Sequence, residues 1–133
     1  MTRYISVAEF LWLAEQVTLT PAEVLAKSSR LDLADSALHA PSAGFGDEDF
    51  YPELYDKAAV LTCRLAWNHP LMDGNKRAAW AAVIMFVDLN SGRWTPDPPD
   101  VDDAESTMLA VASRGLDETE FAIWLRTRVV FEN

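Results

Sequence analysis

From Ala78 to Leu89 the chain is apolar almost without a break: Ala78, Ala79, Ala81, Ala82, Val83, Ile84, Met85, Phe86, Val87 and Leu89. A helix that is apolar all round must be covered on every side. The run therefore predicts a buried central helix over about residues 75–90, with the rest of the chain packed around it. The small alanines early in it permit close approach of a neighbouring backbone or a ligand. A second apolar segment precedes it. Leu54, Ala58, Leu61 and Leu65 recur at helical spacing, and Ala59, Val60, Cys63 and Ala66 widen that face. Tyr51 or Pro52 opens this helix, and Asn68-His69-Pro70 ends it, because Pro70 biases His69 away from helical geometry.

Between the two central helices lies His69-Pro70-Leu71-Met72-Asp73-Gly74-Asn75-Lys76-Arg77. A turn entering a helix leaves unpaired N–H groups, and the helix dipole adds positive charge there. Such a terminus suits phosphate. Gly74 lets the backbone approach a ligand closely. Lys76 and Arg77 at the helix start oppose the dipole by roughly 0.3–1 kcal/mol each, a cost that a bound anion offsets. Asp73 is a hard oxygen ligand suited to Mg²⁺ on phosphates, and His69 can take a proton near neutral pH. Taken singly, His-Pro and Asp-Gly are ordinary punctuation. Together they describe a base, a metal ligand and a phosphate cradle within nine residues.

These residues resemble the Fic/Doc superfamily, whose motif reads His-Pro-Phe, two residues, Gly-Asn-Gly-Arg, two residues, Arg. Leu71 replaces the Phe, Lys76 the second Gly and Trp80 the final Arg. The last two departures resemble the Doc (death-on-curing) branch of toxin–antitoxin systems. The likeness extends to Phe50–Ala59 before the motif, Phe86–Gly92 after it and Ala112–Gly115 near the end, covering most of residues 30–128. It implies an all-α, compact helical bundle, one domain over residues 1–133, with the motif loop between two central helices and a short hairpin flap.

The resemblance also implies chemistry on ATP with Mg²⁺. Doc-type toxins transfer the γ-phosphate to a Ser/Thr hydroxyl of a translation factor, elongation factor Tu, and stop translation. A cognate antitoxin neutralises them through a C-terminal segment that folds over the site. On that reading His69 is the general base and Asp73 holds the metal. Gly74, Asn75, Lys76 and Arg77 bind the phosphates, Asn75 also positions the loop, and Lys76 and Arg77 act catalytically on developing charge. The alternatives are a Fic-type protein AMP transferase with the same base and metal, or a non-catalytic module retaining the scaffold.

Eleven basic against 21 acidic residues give a net charge of −10. That disfavours a nucleic-acid surface, which needs Lys and Arg against phosphate, and an anionic membrane. It suits a basic partner segment. The single cysteine, Cys63, forms no intramolecular disulfide and lies in an apolar helical run, as a core residue would. No apolar run reaches the roughly 18–20 residues of a membrane span, and Met1-Thr2-Arg3-Tyr4 does not open a signal peptide. The expected location is the bacterial cytoplasm.

Elsewhere, residues 3–5 favour a short extended piece. Ser6 and Glu9 form a capping box for a first helix ending near Thr18. Thr20 caps a second helix over 21–28, with Pro21 at its first position. Asp32 caps a third over 33–40, where His39 would meet the last carbonyls. Residues 41–50 read as a loop, with Gly44 and Gly46 allowing another chain to approach; in the resembling family this flap docks the target by strand addition. Arg64 could face the nucleotide or the surface. Trp67 and Trp80 read as core rather than adenine-stacking residues. Gly92 is the expected left-handed stop of the second central helix. The acids at 97, 100, 102, 103 and 105 read as a solvated start to helix 102–113, which Gly115 ends; they lack the spacing of a calcium loop. Asp117 and Glu120 cap a last helix running to about residue 130.

Overall fold

Two helices, α4 (Leu54–Asn68) and α5 (Asn75–Leu89), pack together at the centre of the fold, a computed structural model that describes residues 1–132. Ala58, Ala59 and Ala66 of α4 and Ala78, Ala79 and Ala82 of α5 are buried, and methyl groups this small let helix axes come close. Leu61, Leu65, Val83, Phe86 and Val87 add larger buried side chains to this part of the core. Burial of each such side chain contributes roughly 1.5–3 kcal/mol. Helices α3 (Leu31–His39) and α7 (Glu118–Arg126) cover α4, while α1 (Val7–Thr18) lies along α5. Helices α2 (Ala22–Ser28) and α6 (Val101–Ala112) complete the all-α bundle.

The capping boxes predicted at Ser6/Glu9 and Asp117/Glu120 are both closed in each direction. Other starts differ from expectation. Pro21 sits at the N-cap of α2, and Thr20 does not cap it; the Ala22 N–H instead donates to the Glu15 carboxylate of α1 at 3.0 Å. Helix α3 begins at Leu31 with Arg30 at its N-cap, so Asp32 lies in the first turn. His39 meets a late carbonyl as expected, its Nδ1 lying 2.9 Å from the Asp35 carbonyl oxygen. Residues 3–5 form no strand. Both backbone groups of Arg3 are taken up by the Asn90 side chain, at 2.8 and 2.9 Å, which satisfies that segment without a ladder.

Among the described residues, strand structure is confined to two short antiparallel ribbons. The predicted flap is a hairpin of β1 (Gly44–Phe45) and β2 (Glu48–Asp49). The second ribbon was not expected. Helix α7 stops at Arg126, not near residue 130, and β4 (Val129–Phe131) pairs with β3 (Gly92–Trp94) in the register Gly92↔Phe131 and Trp94↔Val129. Gly92 is required for contact rather than for a left-handed turn. A methyl there would lie 2.6 Å from Val87 Cγ1 and 2.8 Å from Phe131 Cε1. The left-handed position after α5 belongs to Ser91, and that after α6 to Arg114 rather than Gly115.

Cys63 is buried as expected, and desolvation pushes its thiol up to about 12. Trp67 is held in place by a bond from Nε1 to the Val111 carbonyl at 2.7 Å. Asp103 departs from the solvated acidic run: it forks onto Arg128, whose hydrogen bonds hold its carboxyl below the usual range.

The expectation that α5 is covered all round fails along one strip. Ala81 and Ile84 remain half-exposed and, with Trp80, line an open cleft of about 740 Å³ against α6 and residues 97–99. No helix among the described residues is long and apolar enough to cross a membrane.

Candidate active site

The motif loop is shaped by three local devices. His69 ends α4 in the left-handed region, at φ 51° and ψ 57°, so its exposed side chain leaves the helix track. Pro70 and Leu71 are buried behind it, so Leu71 anchors the loop in the core at the position where the motif has Phe. Asn75 then closes the loop with its own amide: it accepts from the Leu71 N–H at 2.8 Å and donates to the Leu71 carbonyl at 2.9 Å. This pair of hydrogen bonds across four residues fixes the turn between the two helices. Asn75→Ala removes both bonds and leaves two part-buried backbone groups unpaired. The expected loss is about 1–3 kcal/mol of stability, read by urea denaturation. An unchanged midpoint would show that the clamp contributes nothing.

Gly74 is the N-cap of α5, at φ 81° and ψ 16°. A methyl at this position would also lie 2.8 Å from Thr18 Cγ2 of α1. Conformation and contact therefore both require glycine. Within α5 the first amide to find a helical acceptor is that of Ala78, bonded to the Gly74 carbonyl at 2.9 Å. The N–H groups of Asn75, Lys76 and Arg77 have no acceptor among the described residues. No acidic residue stands in this first turn. Three open donors and the helix dipole thus meet at a turn that carries Lys76 and Arg77, with the Asp73 carboxylate just before it.

Asp73 is exposed, and its Oδ1 accepts the Gly74 N–H at 2.8 Å. Its second oxygen has no partner among the described residues, and no cluster of three or more metal-binding side chains occurs there. One carboxylate beside open helix N–H groups fits Mg²⁺, which binds through one or two carboxylates plus phosphate oxygens and water. It would not fit an all-protein metal cage.

The two cations are not equivalent. Arg77 Nη1 donates to the Val17 carbonyl at 3.1 Å, placing positive charge at the C-terminal end of α1, which has no basic residue of its own. Lys76 is half-buried, and neither residue forms an ion pair among the described residues. Both line the cleft with Trp80, whereas His69, Asp73, Gly74 and Asn75 do not. The structure thus divides the motif into a polar loop and a cationic pair at the mouth of an apolar cleft.

Trp80, standing where the motif's final Arg would be, packs against Trp94 and Trp124 with ring centroids 5.4 and 6.2 Å away. It is part of an aromatic cluster and also lines the cleft. Arg64 is held away from a ligand role by Glu118, with Nε to Oε2 at 2.6 Å; this hydrogen bond is the largest cause of its raised pKa. Sequence reasoning missed Lys57, whose side chain is 2% exposed. Its signal was present, since it lies three residues after Leu54 and four before Leu61 on the apolar stripe of α4.

A family model described as Fic/DOC matches residues 4–87, which include α1 to α5 almost entirely and the whole motif loop. The curated protein Toxin Doc of Mycolicibacterium smegmatis is 48% identical over 85 residues, 64% of this chain and 65% of that protein. The chain thus spans just under two thirds of that relative's length. The family-model match contains the open helix start, the loop that Asn75 closes and the helices that carry them. The chain belongs to the Fic/DOC family.

Proposed function

We propose that this protein is a toxin that transfers the γ-phosphate of ATP to a Ser or Thr hydroxyl of a translation factor such as elongation factor Tu. The observation that carries the reading is the start of α5: three acceptor-free N–H groups with Lys76 and Arg77 and no carboxylate in the turn. Such a terminus is suited to the triphosphate. The similarity to a protein named Toxin Doc supports the toxin reading.

His69 takes the hydroxyl proton as the target oxygen forms its bond to the γ-phosphorus. The bond from that phosphorus to the β–γ bridging oxygen breaks, and ADP leaves with the electron pair. Asp73 holds Mg²⁺, which supplies neutralisation of phosphate charge when bound. The open N–H groups at Asn75, Lys76 and Arg77 orient the phosphate oxygens, Gly74 lets them come close, and Lys76 with Arg77 stabilises charge developing on them. Packing of Trp80 among tryptophans leaves no cation at the position of the motif's last Arg, which supports phosphoryl over AMP transfer.

The open strip of α5 suits a cognate antitoxin. A segment with an apolar face would cover Trp80, Ala81 and Ile84, and a carboxylate at its end would meet Lys76 and Arg77. Bound there, it would cover the cations that the nucleotide needs. Purified protein is to be incubated with Mg²⁺, bacterial lysate and ATP labelled at the α or the γ phosphate. Transfer from the γ position alone is expected. Transfer from the α position would establish AMP transfer instead. No transfer together with no ATP binding would leave the non-catalytic module.

A further inference from the structure

The flap is a hairpin with almost nothing beneath it. All four strand residues are exposed, and Phe45 and Phe50 are 82% and 62% exposed. Two residue pairs make a ribbon too small to be stable alone. The contact that ties it to the body is made by Lys57, in the second turn of α4. Its Nζ donates to the Pro41 carbonyl at 3.1 Å, just before β1, and to Asp49 Oδ2 at 3.0 Å, at the end of β2. The same ammonium lies 5.5 Å from the centre of the Tyr4 ring, so the N-terminal segment closes its remaining side. Lys57 is 1% exposed, and a charge so buried is retained only where its partners are in place. One ammonium thereby holds both legs of the hairpin. It does so from the helix that ends at His69, twelve residues or about 18 Å along the axis at 1.5 Å per residue.

We propose that Lys57 is a positioning residue that clamps the flap to α4, so that a preformed strand edge is presented to the protein substrate in fixed register with the helix carrying His69. The inference rests on the reading of the protein as a transferase acting on a protein hydroxyl. Loss of the clamp frees the hairpin and weakens substrate docking. The chemistry at the motif loop, on the far end of α4, is left intact.

The test uses full-length Lys57→Met and Asp49→Ala, in which the charge and its surface partner are removed separately. Backbone hydrogen exchange is followed at residues 44–50 and, as an internal control, along α5. Both variants are expected to exchange at least about tenfold faster in the hairpin with α5 unchanged. With purified elongation factor Tu as substrate, KM is expected to rise about tenfold while kcat stays within about twofold. Unchanged hairpin exchange in either folded variant overturns the clamp, as does a fall in kcat at constant KM. If Lys57→Met does not fold, Asp49→Ala decides alone, since it leaves the core helix untouched. If the wild-type protein transfers no phosphate, the functional reading fails, and the exchange measurement still decides whether Lys57 holds the hairpin.

Discussion

His69→Ala is expected to lower γ-phosphate transfer by about 10²–10⁴-fold, the usual contribution of a positioned general base. The effect should be confined to chemistry. The imidazole is exposed and makes no hydrogen bond among the described residues, so its removal costs no packing. Its backbone stays in the left-handed region, and alanine carries the same Cβ penalty there as histidine does. Helical circular dichroism and thermal midpoint should therefore match the wild type, while toxicity in bacteria disappears. A folded His69→Ala protein that remains toxic would remove His69 from the mechanism and return the site to a binding role.

Asp73→Ala is the second large effect. The carboxylate is the one acidic side chain in the nine-residue motif, it is exposed, and one of its oxygens has no partner among the described residues. Metal neutralisation of a transferring phosphoryl group is worth several kcal/mol, and each 1.36 kcal/mol is tenfold in rate. Transfer should fall about 10²–10³-fold at millimolar Mg²⁺. The fold should lose no more than the hydrogen bond to Gly74, about 0.5–1.5 kcal/mol. A titration of rate against Mg²⁺ separates the causes. If Asp73 holds the ion, the variant's curve moves to higher Mg²⁺; a parallel loss with an unmoved midpoint would mean that Asp73 only shapes the turn.

The open helix start was legible because its parts are local. A glycine, two cations and a helix start are adjacent in sequence, and helix geometry alone brings their backbone donors together. The loop was less legible. Leu71 in place of Phe says nothing of how the turn is held, and the pair of hydrogen bonds between Asn75 and Leu71 appears only once the turn has closed. Arg77 shows the limit of reading charge as function. Its guanidinium reaches α1, sixty residues earlier, and stabilises that helix end while also standing at the cleft mouth.

Lys57 was missed for a related reason. A lysine on an apolar stripe reads as an interruption, because a buried charge without partners is prohibitively costly. The partners come from Pro41, Asp49 and Tyr4, and none lies on its own helix. The C-terminal ribbon was missed in the same way. Val129–Phe131 is too short to announce a strand, and its partner at Gly92–Trp94 lies more than thirty residues away.

The sequence by itself determined the two central helices, the turn between them and the residue types that the turn carries. Apolar periodicity, capping residues and the Pro and Gly positions act within a few residues of one another, and local sterics suffice to read them. Tertiary structure decided what covers each surface. It left the Trp80–Ala81–Ile84 strip of an otherwise buried helix open, gave Arg77 to the end of α1, and tied the flap to α4 through Lys57. Those outcomes depend on which distant groups arrive at the same place. Packing and the pairing of buried charge settle that, and neither has a period along the chain.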